Sequence, residues 1–555
     1  MTQLTGAQLI VRLLERQGVR TIAGIPGGAI LPFYDALSAS PLIRHVLARH
    51  EQGAGFVAQG MARVSGVPQV CVASSGPGAT NLVTAIADAC LDSIPMVIIT
   101  GQVPQSMIGT DAFQEVDIYG ITVPITKHNF LVRSAQELLE VIPEAFRIAM
   151  SGRPGPVLVD VPKDVQNQLV EVGQLPPPAV PDAGPQLDLD AVEAAVRMIN
   201  EAQRPVLYLG GGVVHSGASA LALDLAEQGN LPTTMTLMAL GAMPMDHPLS
   251  IGMLGMHGAR YTNLVLEEAD LLICVGARFD DRAIGRTAQF CTNAKIIHID
   301  IDRSELHKIK NAHVAINADV TAALEALLPR VRATLRTDWL AQVAELKQRF
   351  PMQFPDVDDP RSHYGLIKAV ADALDDEAVI ATDVGQHQMW VAQAYPFRRP
   401  RQWLTSGGLG TMGFGFPAAI GAALAEPERT VVCFSGDGSF KMNIQELATL
   451  AEEGLNVKIV LMNNNALGLV YQQQSLFYGK RLFASKYRTE PDFVKIAEGF
   501  GVPALDLDKA EDPRAALAEA LNTPGPCLIH ATIDREQFVY PMVPPGGANT
   551  EMIGG

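Results

Sequence analysis

A chain of 555 residues that is 48% hydrophobic and 18% charged is too long for one core, so two to four globular domains are expected. Its 59 acidic and 42 basic side chains leave a formal charge of −17, which argues against general nucleic-acid binding. Six cysteines without CxxC spacing read as buried reduced thiols, and no apolar run reaches membrane-spanning length, so a soluble cytoplasmic protein is expected.

In chain order, MTQLTGAQLIVRLLERQG is no signal peptide; it reads as a helix with Thr5 and Gln8 as a capping box. Gln69–Ala73 and Met96–Thr100 are apolar and β-branched, as buried strands are. The Pro-rich run 175–185 reads as a stiff linker. Pro205–Leu209, Leu271–Val275 and Lys295–Asp300 are strands of a second part, closed by another Pro-rich break at 350–360. In the third part, Ala378–Asp383, Thr430–Ser435 and Val457–Met462 read as strands and Asn443–Glu453 as a helix stopped by Gly454. Strands alternating with helices predict three doubly wound α/β domains with parallel sheets, over 1–175, 186–345 and 361–555. Parts one and three look alike in architecture without a clear sequence repeat.

The run Gly436-Asp437-Gly438 follows one strand and Asn463-Asn464 ends the next. Ligands in such sheets gather at the carboxyl ends of strands. An acid and an amide oxygen brought together there, beside a helix N-terminus, suit a Mg²⁺ ion holding a diphosphate. Two ordinary turns would use the same residue types, and a lone GDG would favour them. The flanking apolar strands and the terminal Asn pair favour the site.

This stretch resembles the thiamin diphosphate motif, GDG followed after roughly 25 residues by NN. Ala48-Arg-His-Glu-Gln-Gly-Ala-Gly55 and Ser74-Ser-Gly-Pro-Gly-Ala-Thr-Asn81 resemble the other half of such a site. Leu254-Gly-Met-His-Gly258, Val275-Gly-Ala-Arg-Phe-Asp-Asp-Arg282 and Tyr540-Pro-Met-Val-Pro-Pro-Gly546 resemble the acetolactate synthase (acetohydroxyacid synthase) catalytic subunits, of the anabolic bacterial type. The likeness runs through nearly the whole chain. It implies that the three parts bind the cofactor's pyrimidine, FAD and the Mg²⁺-diphosphate, respectively.

By that resemblance, Asp437, Asn464 and the Ala466 carbonyl ligate Mg²⁺. Gly385, Gln386, His387, Gln388, Gly436, Gly438, Ser439, Gly468 and Leu469 surround the diphosphate, with Gly468 as a hinge for a lid over 465–485. Glu51 bonds the aminopyrimidine ring and drives its tautomerisation, so the cofactor carries the hard chemistry. Pro26, Gly27, Ser75 and Asn81 line the same half-site. Within Ser406–Gly413, the Gly410 carbonyl accepts from the ring amine and Met412 is the wedge that bends the cofactor; core filler is the usual role of Met, and the Gly-rich setting argues against it here.

Gly210, Gly211 and Gly212 follow a strand as a pyrophosphate turn would, without the GxGxxG fingerprint. The resemblance adds Leu254, Met256, His257, Gly276, Arg278, Asp280, Arg282, Asp300, Ile301, Asp319 and Val320 as flavin contacts, with Arg153 reaching in from the first domain. Gly28, Gln114 and Lys163 match catalytic-pocket positions and Ala29 and Phe113 the substrate pocket, although Lys163 reads equally well as a surface charge. Gln473 stands where many members carry a Trp that favours 2-ketobutyrate, which predicts little preference over pyruvate and weak herbicide sensitivity.

The implied reaction decarboxylates pyruvate and condenses the two-carbon unit with pyruvate or 2-ketobutyrate, giving 2-acetolactate or 2-aceto-2-hydroxybutyrate for branched-chain amino acid biosynthesis. The alternative is an FAD- and thiamin diphosphate-dependent pyruvate oxidase. The resemblance further implies active sites between subunits of a homodimer or homotetramer. It also implies a small regulatory subunit with an ACT domain.

Overall fold

The computed structural model describes residues 2–554. It contains three six-stranded sheets whose paired strands all run parallel, covered by helices. The strands expected in the first and middle parts are present, with Met96–Gln102 two residues longer than expected. The N-terminal helix runs Gly6–Arg16; Thr5 and Gln8 form the reciprocal capping box, and Thr2–Thr5 ahead of it pairs with Leu169–Val172. Segment 175–188 has no regular structure and is mostly exposed.

The first sheet runs Arg44–Leu47, Thr21–Gly24, Gln69–Ala73, Met96–Gln102, Pro156–Pro162, His128–Leu131. The third runs Trp403–Leu404, Val379–Thr382, Val431–Gly436, Val457–Asn463, Cys527–Thr532, Ala504–Asp506. Counted within each domain, both have the order 2-1-3-4-6-5, so the likeness of parts one and three is a shared topology. The middle sheet begins Ser250–Met253, Thr233–Met235, Pro205–Leu209 and continues Leu271–Val275, Lys295–Asp300, Val314–Asn317. Its order is 3-2-1-4-5-6, that of dinucleotide-binding folds.

Two expected elements are shorter than read. The strand expected over Ala378–Asp383 runs Val379–Thr382. The helix expected from Asn443 runs Glu446–Glu453, ending on Gly454 in the left-handed conformation. Asn443 is drawn off the helix because its side-chain amide donates to the Gly413 carbonyl at 2.7 Å.

The first and third domains share one core. The helix Glu51–Ser65 packs on the helix Gly415–Ala425, with Ala54, Val57, Ala58 and Met61 in one apolar cluster with Phe416, Ala419 and Ile420. A Cβ on Gly60 would strike the Ala418 carbonyl, and one on Gly421 the Val57 carbonyl. The middle domain's core continues into the third as well, through residues such as Trp390, Val391 and Phe397.

Candidate active site

All three sheets place sequence-predicted residues at the point where strand order reverses, where crevices open in doubly wound folds. In the third domain this is the gap between the strands Val379–Thr382 and Val431–Gly436. Asp437 follows the second of these and is almost fully buried. Its Oδ2 accepts from Lys441 Nζ at 3.0 Å, while its Oδ1 has no hydrogen-bond partner. Burial raises its pKa, opposed by Lys441 and by the backbone N–H groups of Asn464 and Ala466. Asn464 donates to Gln386 Oε1 at 3.1 Å, and its own Oδ1 accepts from Ala466 N at 3.1 Å. An orphaned carboxylate oxygen among amide and carbonyl oxygens is a hard donor set that fits Mg²⁺.

His387 opens the nine-residue helix Gln386–Ala394 with its ring against Gly385 and Gly436, where added Cβ atoms would lie 2.7 and 2.8 Å from it. Burial pushes its pKa down to about 3, so the imidazole is neutral, and Nε2 is unpartnered. No side chain caps this helix, which leaves its first N–H groups for an anion. The Gln386 amide donates to Gln472 Oε1 and to Gln537 O, both at 3.0 Å, and its Oε1 accepts from Asn464, which leaves its backbone N–H at the open helix end. Gln388 likewise donates to Thr405 Oγ1 and Ser406 O at 2.7 and 3.1 Å. The Ser439 hydroxyl donates to Val384 O at 2.8 Å. Gly468 starts the helix Gly468–Phe477, and a Cβ there would collide with the Gln386 side chain.

Asp383 escaped the sequence reading. It is fully buried, accepts from Gly413 N at 2.7 Å and Ser435 Oγ at 2.9 Å, and is pushed by burial up to about 6. It thereby fixes the end of the Met412 loop, and the Met412 methyl lies 3.6 Å from where a Gly438 Cβ would stand. An Asp ending a strand was its only signal in the sequence.

In the first domain the crevice lies between Thr21–Gly24 and Gln69–Ala73. Glu51 begins the helix Glu51–Ser65, and its Oε2 accepts from Asn81 Nδ2 at 2.9 Å. Glu51 Oε1 lies 3.3 Å from where a Gly78 Cβ would stand, so that glycine keeps the carboxylate's flank open. Ser75 Oγ is buried without a partner. Gly27 packs on Ser74, whose hydroxyl accepts from Ala29 N at 3.4 Å, and Gly28 borders open space. Gln114, at φ 60°, lies against Gly76, and neighbouring Phe113 is 87% exposed. Lys163 stands apart from this group, in a shallow recess with Gln8, Leu31 and Asp35.

The middle crevice opens into a cavity of about 780 Å³, within the usual range for cofactor sites. Every expected flavin contact lines it: Arg153, Gly210, Gly211, Gly212, Leu254, Met256, His257, Gly276, Arg278, Asp280, Arg282, Asp300, Ile301, Asp319 and Val320. Guanidinium groups for a pyrophosphate and carboxylates for sugar hydroxyls make the lining fit FAD. Arg153 is held by Ser93 Oγ at 2.8 Å and Glu305 Oε1 at 3.0 Å. Burial pushes His257 down to about 4 and Asp300 up to about 6. Gly210 and Gly212 serve packing as well: Cβ atoms there would enter the Gly276 turn. Gln388, Gly410, Leu469 and Gln473 line the same cavity, so it borders the third domain's crevice.

The three domains match the thiamine pyrophosphate enzymes one by one. The N-terminal TPP binding domain of that family matches residues 4–121, its central domain 192–327 and its C-terminal TPP binding domain 383–531. The chain is 65% identical over 552 residues to the acetolactate synthase isozyme 1 large subunit of Escherichia coli (strain K12), covering 100% of this chain and 98% of that one. It is 47% identical to the isozyme 2 large subunit of the same organism, over 99% of each. It is also 47% identical to the chloroplastic acetolactate synthase 1 of Oryza sativa subsp. japonica, over 99% of this chain and 87% of the relative. The chain belongs to the acetolactate synthase large-subunit family.

Proposed function

We propose that this chain is the catalytic subunit that joins a two-carbon unit from pyruvate to a second 2-ketoacid, with Glu51 and the Asp437–Asn464 pair as the two halves of its active site. The observation that carries the assignment of the site is the buried, unpartnered Asp437 Oδ1 at the crevice of the third sheet. Bound thiamin diphosphate supplies the electron sink for decarboxylation and the nucleophilic carbon for the new bond.

The chain's own groups do the rest. Asp437 Oδ1, the Asn464 side-chain oxygen and the Ala466 carbonyl would hold Mg²⁺, whose charge would offset that of a diphosphate. The free N–H groups before Gln388 and neutral His387 would take part in holding the same anion. Asn81 fixes one Glu51 carboxylate oxygen, and the other would exchange a proton with the pyrimidine ring. Met412 would support the cofactor from below. Gly28, Ala29, Phe113 and Gln114 form the substrate side, and Lys163 attracts carboxylates from outside it. FAD would be structural in the middle cavity, and Arg153, Arg278 and Arg282, which line it, would meet its negative charge. Gln473 offers no aromatic wall for the extra methylene of 2-ketobutyrate, so preference between the two acceptors is weak. The two products feed valine, leucine and isoleucine synthesis in the cytoplasm.

Two copies complete each site, Glu51 from one and the 383–474 region from the other, and domains 1–175, 186–345 and 361–555 are the units. Exposed Phe113 beside one half-site, with Leu409, Met442 and Val470 beside the other, supports such a contact. A small ACT-domain subunit supplies feedback, in keeping with the relatives' designation as large subunits.

The test is anaerobic turnover of purified protein with pyruvate, Mg²⁺ and thiamin diphosphate, with and without FAD. FAD-stimulated acetolactate without oxygen uptake is expected. Acetate or acetyl phosphate with stoichiometric oxygen uptake would refute the reading.

A further inference from the structure

A buried charge cluster joins the first domain to the loop that ends at Met412. Arg63, on the helix Glu51–Ser65, donates to Asp92 Oδ2 at 2.7 Å, Asp88 Oδ1 at 3.3 Å and Thr405 O at 3.0 Å, and its guanidinium lies 4.7 Å from the Phe414 ring centre. Both aspartate side chains are fully buried. Asp88 Oδ2 accepts from the hydroxyls of Ser406 and Thr411, the latter at 2.7 Å. Asp92 accepts from Gly408 N at 2.7 Å and Gly407 N at 3.2 Å. Ser406 Oγ in turn accepts from Thr411 N at 2.8 Å, which closes the loop on itself. Two carboxylates against one guanidinium leave a buried excess negative charge, an arrangement that costs stability. Burial accordingly pushes the Asp88 carboxyl up to about 6, with Asp92 adding to the rise and Arg63, Ser406 and Thr411 opposing it. Three of the four loop donors that these carboxylates hold lie between Ser406 and Gly408, and the fourth is adjacent to Met412.

We propose that Asp88 is a positioning residue: by anchoring the Ser406 and Thr411 hydroxyls it sets the height of Met412 above the diphosphate crevice. Asp92 lines the flavin cavity together with Ser406–Gly410, so the same cluster ties the loop to the wall of the flavin site. Asp88 touches neither cofactor site directly and acts only through the loop. The inference rests on the reading of this loop as the support of thiamin diphosphate.

The experiment measures thiamin diphosphate binding to full-length protein in Mg²⁺ by titration calorimetry, with the near-ultraviolet circular dichroism of the bound cofactor as a second readout and FAD affinity as a control. Asp88→Asn is expected to raise the dissociation constant about tenfold or more and to weaken the dichroic signal, with FAD affinity changed less than about twofold. The Ser406→Ala/Thr411→Val double variant is expected to do the same. Adding Asp88→Asn to that double variant is expected to change affinity by less than about twofold further, because both hydroxyls through which Asp88 holds the loop are already gone. Wild-type affinity in Asp88→Asn, or an undiminished Asp88→Asn penalty in the double-variant background, would overturn the proposal. If Asp88→Asn does not fold, the hydroxyl variant alone decides, and unchanged affinity and dichroism there would overturn it equally. Met412→Ala tests the underlying reading separately: unchanged cofactor affinity and dichroism in that variant would remove the loop's role itself.

Discussion

At the scale of single residues, the site divides oxygens into committed and free. Glu51 gives one to Asn81 and keeps one, and Asp437 gives one to Lys441 and keeps one. Glu51→Gln preserves the Asn81 contact and removes only the ionisable oxygen. Proton exchange at the thiazolium, followed by quenched NMR, is expected to slow by about 10²–10⁴-fold with the circular dichroism of the fold unchanged; near-normal exchange would refute the role. Lys441 holds Asp437 as a competing cation, so Lys441→Met is expected to lower the Mg²⁺ concentration for half-saturation several-fold. A second carboxylate tests pH. Asp160 is buried, accepts from Thr100 and Gln102, and is pushed by burial up to about 7. A raised carboxyl contributes stability in full below its unfolded value of about 4, and that contribution is lost as pH rises through about 7. Asp160→Asn removes this dependence, so its melting temperature relative to wild type is expected to be more favourable at pH 8 than at pH 5. An equal difference at both would count against it. The sequence made Glu51 and Asp437 legible because distinctive neighbours flank them. Asp88 and Asp383 were opaque because what defines them is partners distant in sequence, Asp88 finding Ser406 more than 300 positions away.

At the scale of elements, strands were easier to read than helix starts. Continuous apolar runs such as Leu271–Val275 match their observed bounds, since a strand buried on both faces needs little beyond its own composition. The start at Glu446 was illegible, because Asn443, a good helix-capping type, is claimed by a carbonyl in the 413 loop. The pairing of Glu51–Ser65 with Gly415–Ala425 was equally hidden: Gly60 and Gly421 read as helix blemishes, yet each admits the other helix's backbone. Gly60→Val is expected to cost about 1–3 kcal/mol or more by overpacking, read as a lowered denaturation midpoint.

At the scale of the whole molecule, two like sheets carry the two halves of the proposed site, the Glu51 carboxylate in the first domain and the Asp437 carboxylate in the third. If the halves meet between copies, mixing inactive Glu51→Gln with inactive Asp437→Asn chains gives hybrids with one intact site each. Random exchange of dimers is then expected to restore about a quarter of wild-type activity; sites closed within one chain would restore none.

The shared core between the first and third domains also bears on what covalent continuity is for. The first domain is sewn to the third by the Glu51–Ser65 helix, whereas segment 175–188 leads from it toward the middle domain along an exposed path. Proteolytic nicking at its exposed stretch 181–186 severs a tether, because the packing that joins the first domain to the third lies in the helices. The two fragments are expected to co-elute on gel filtration and part only in denaturant. Covalent continuity at that point is then dispensable to the finished molecule, whose first and third domains are held by their interlocked helices.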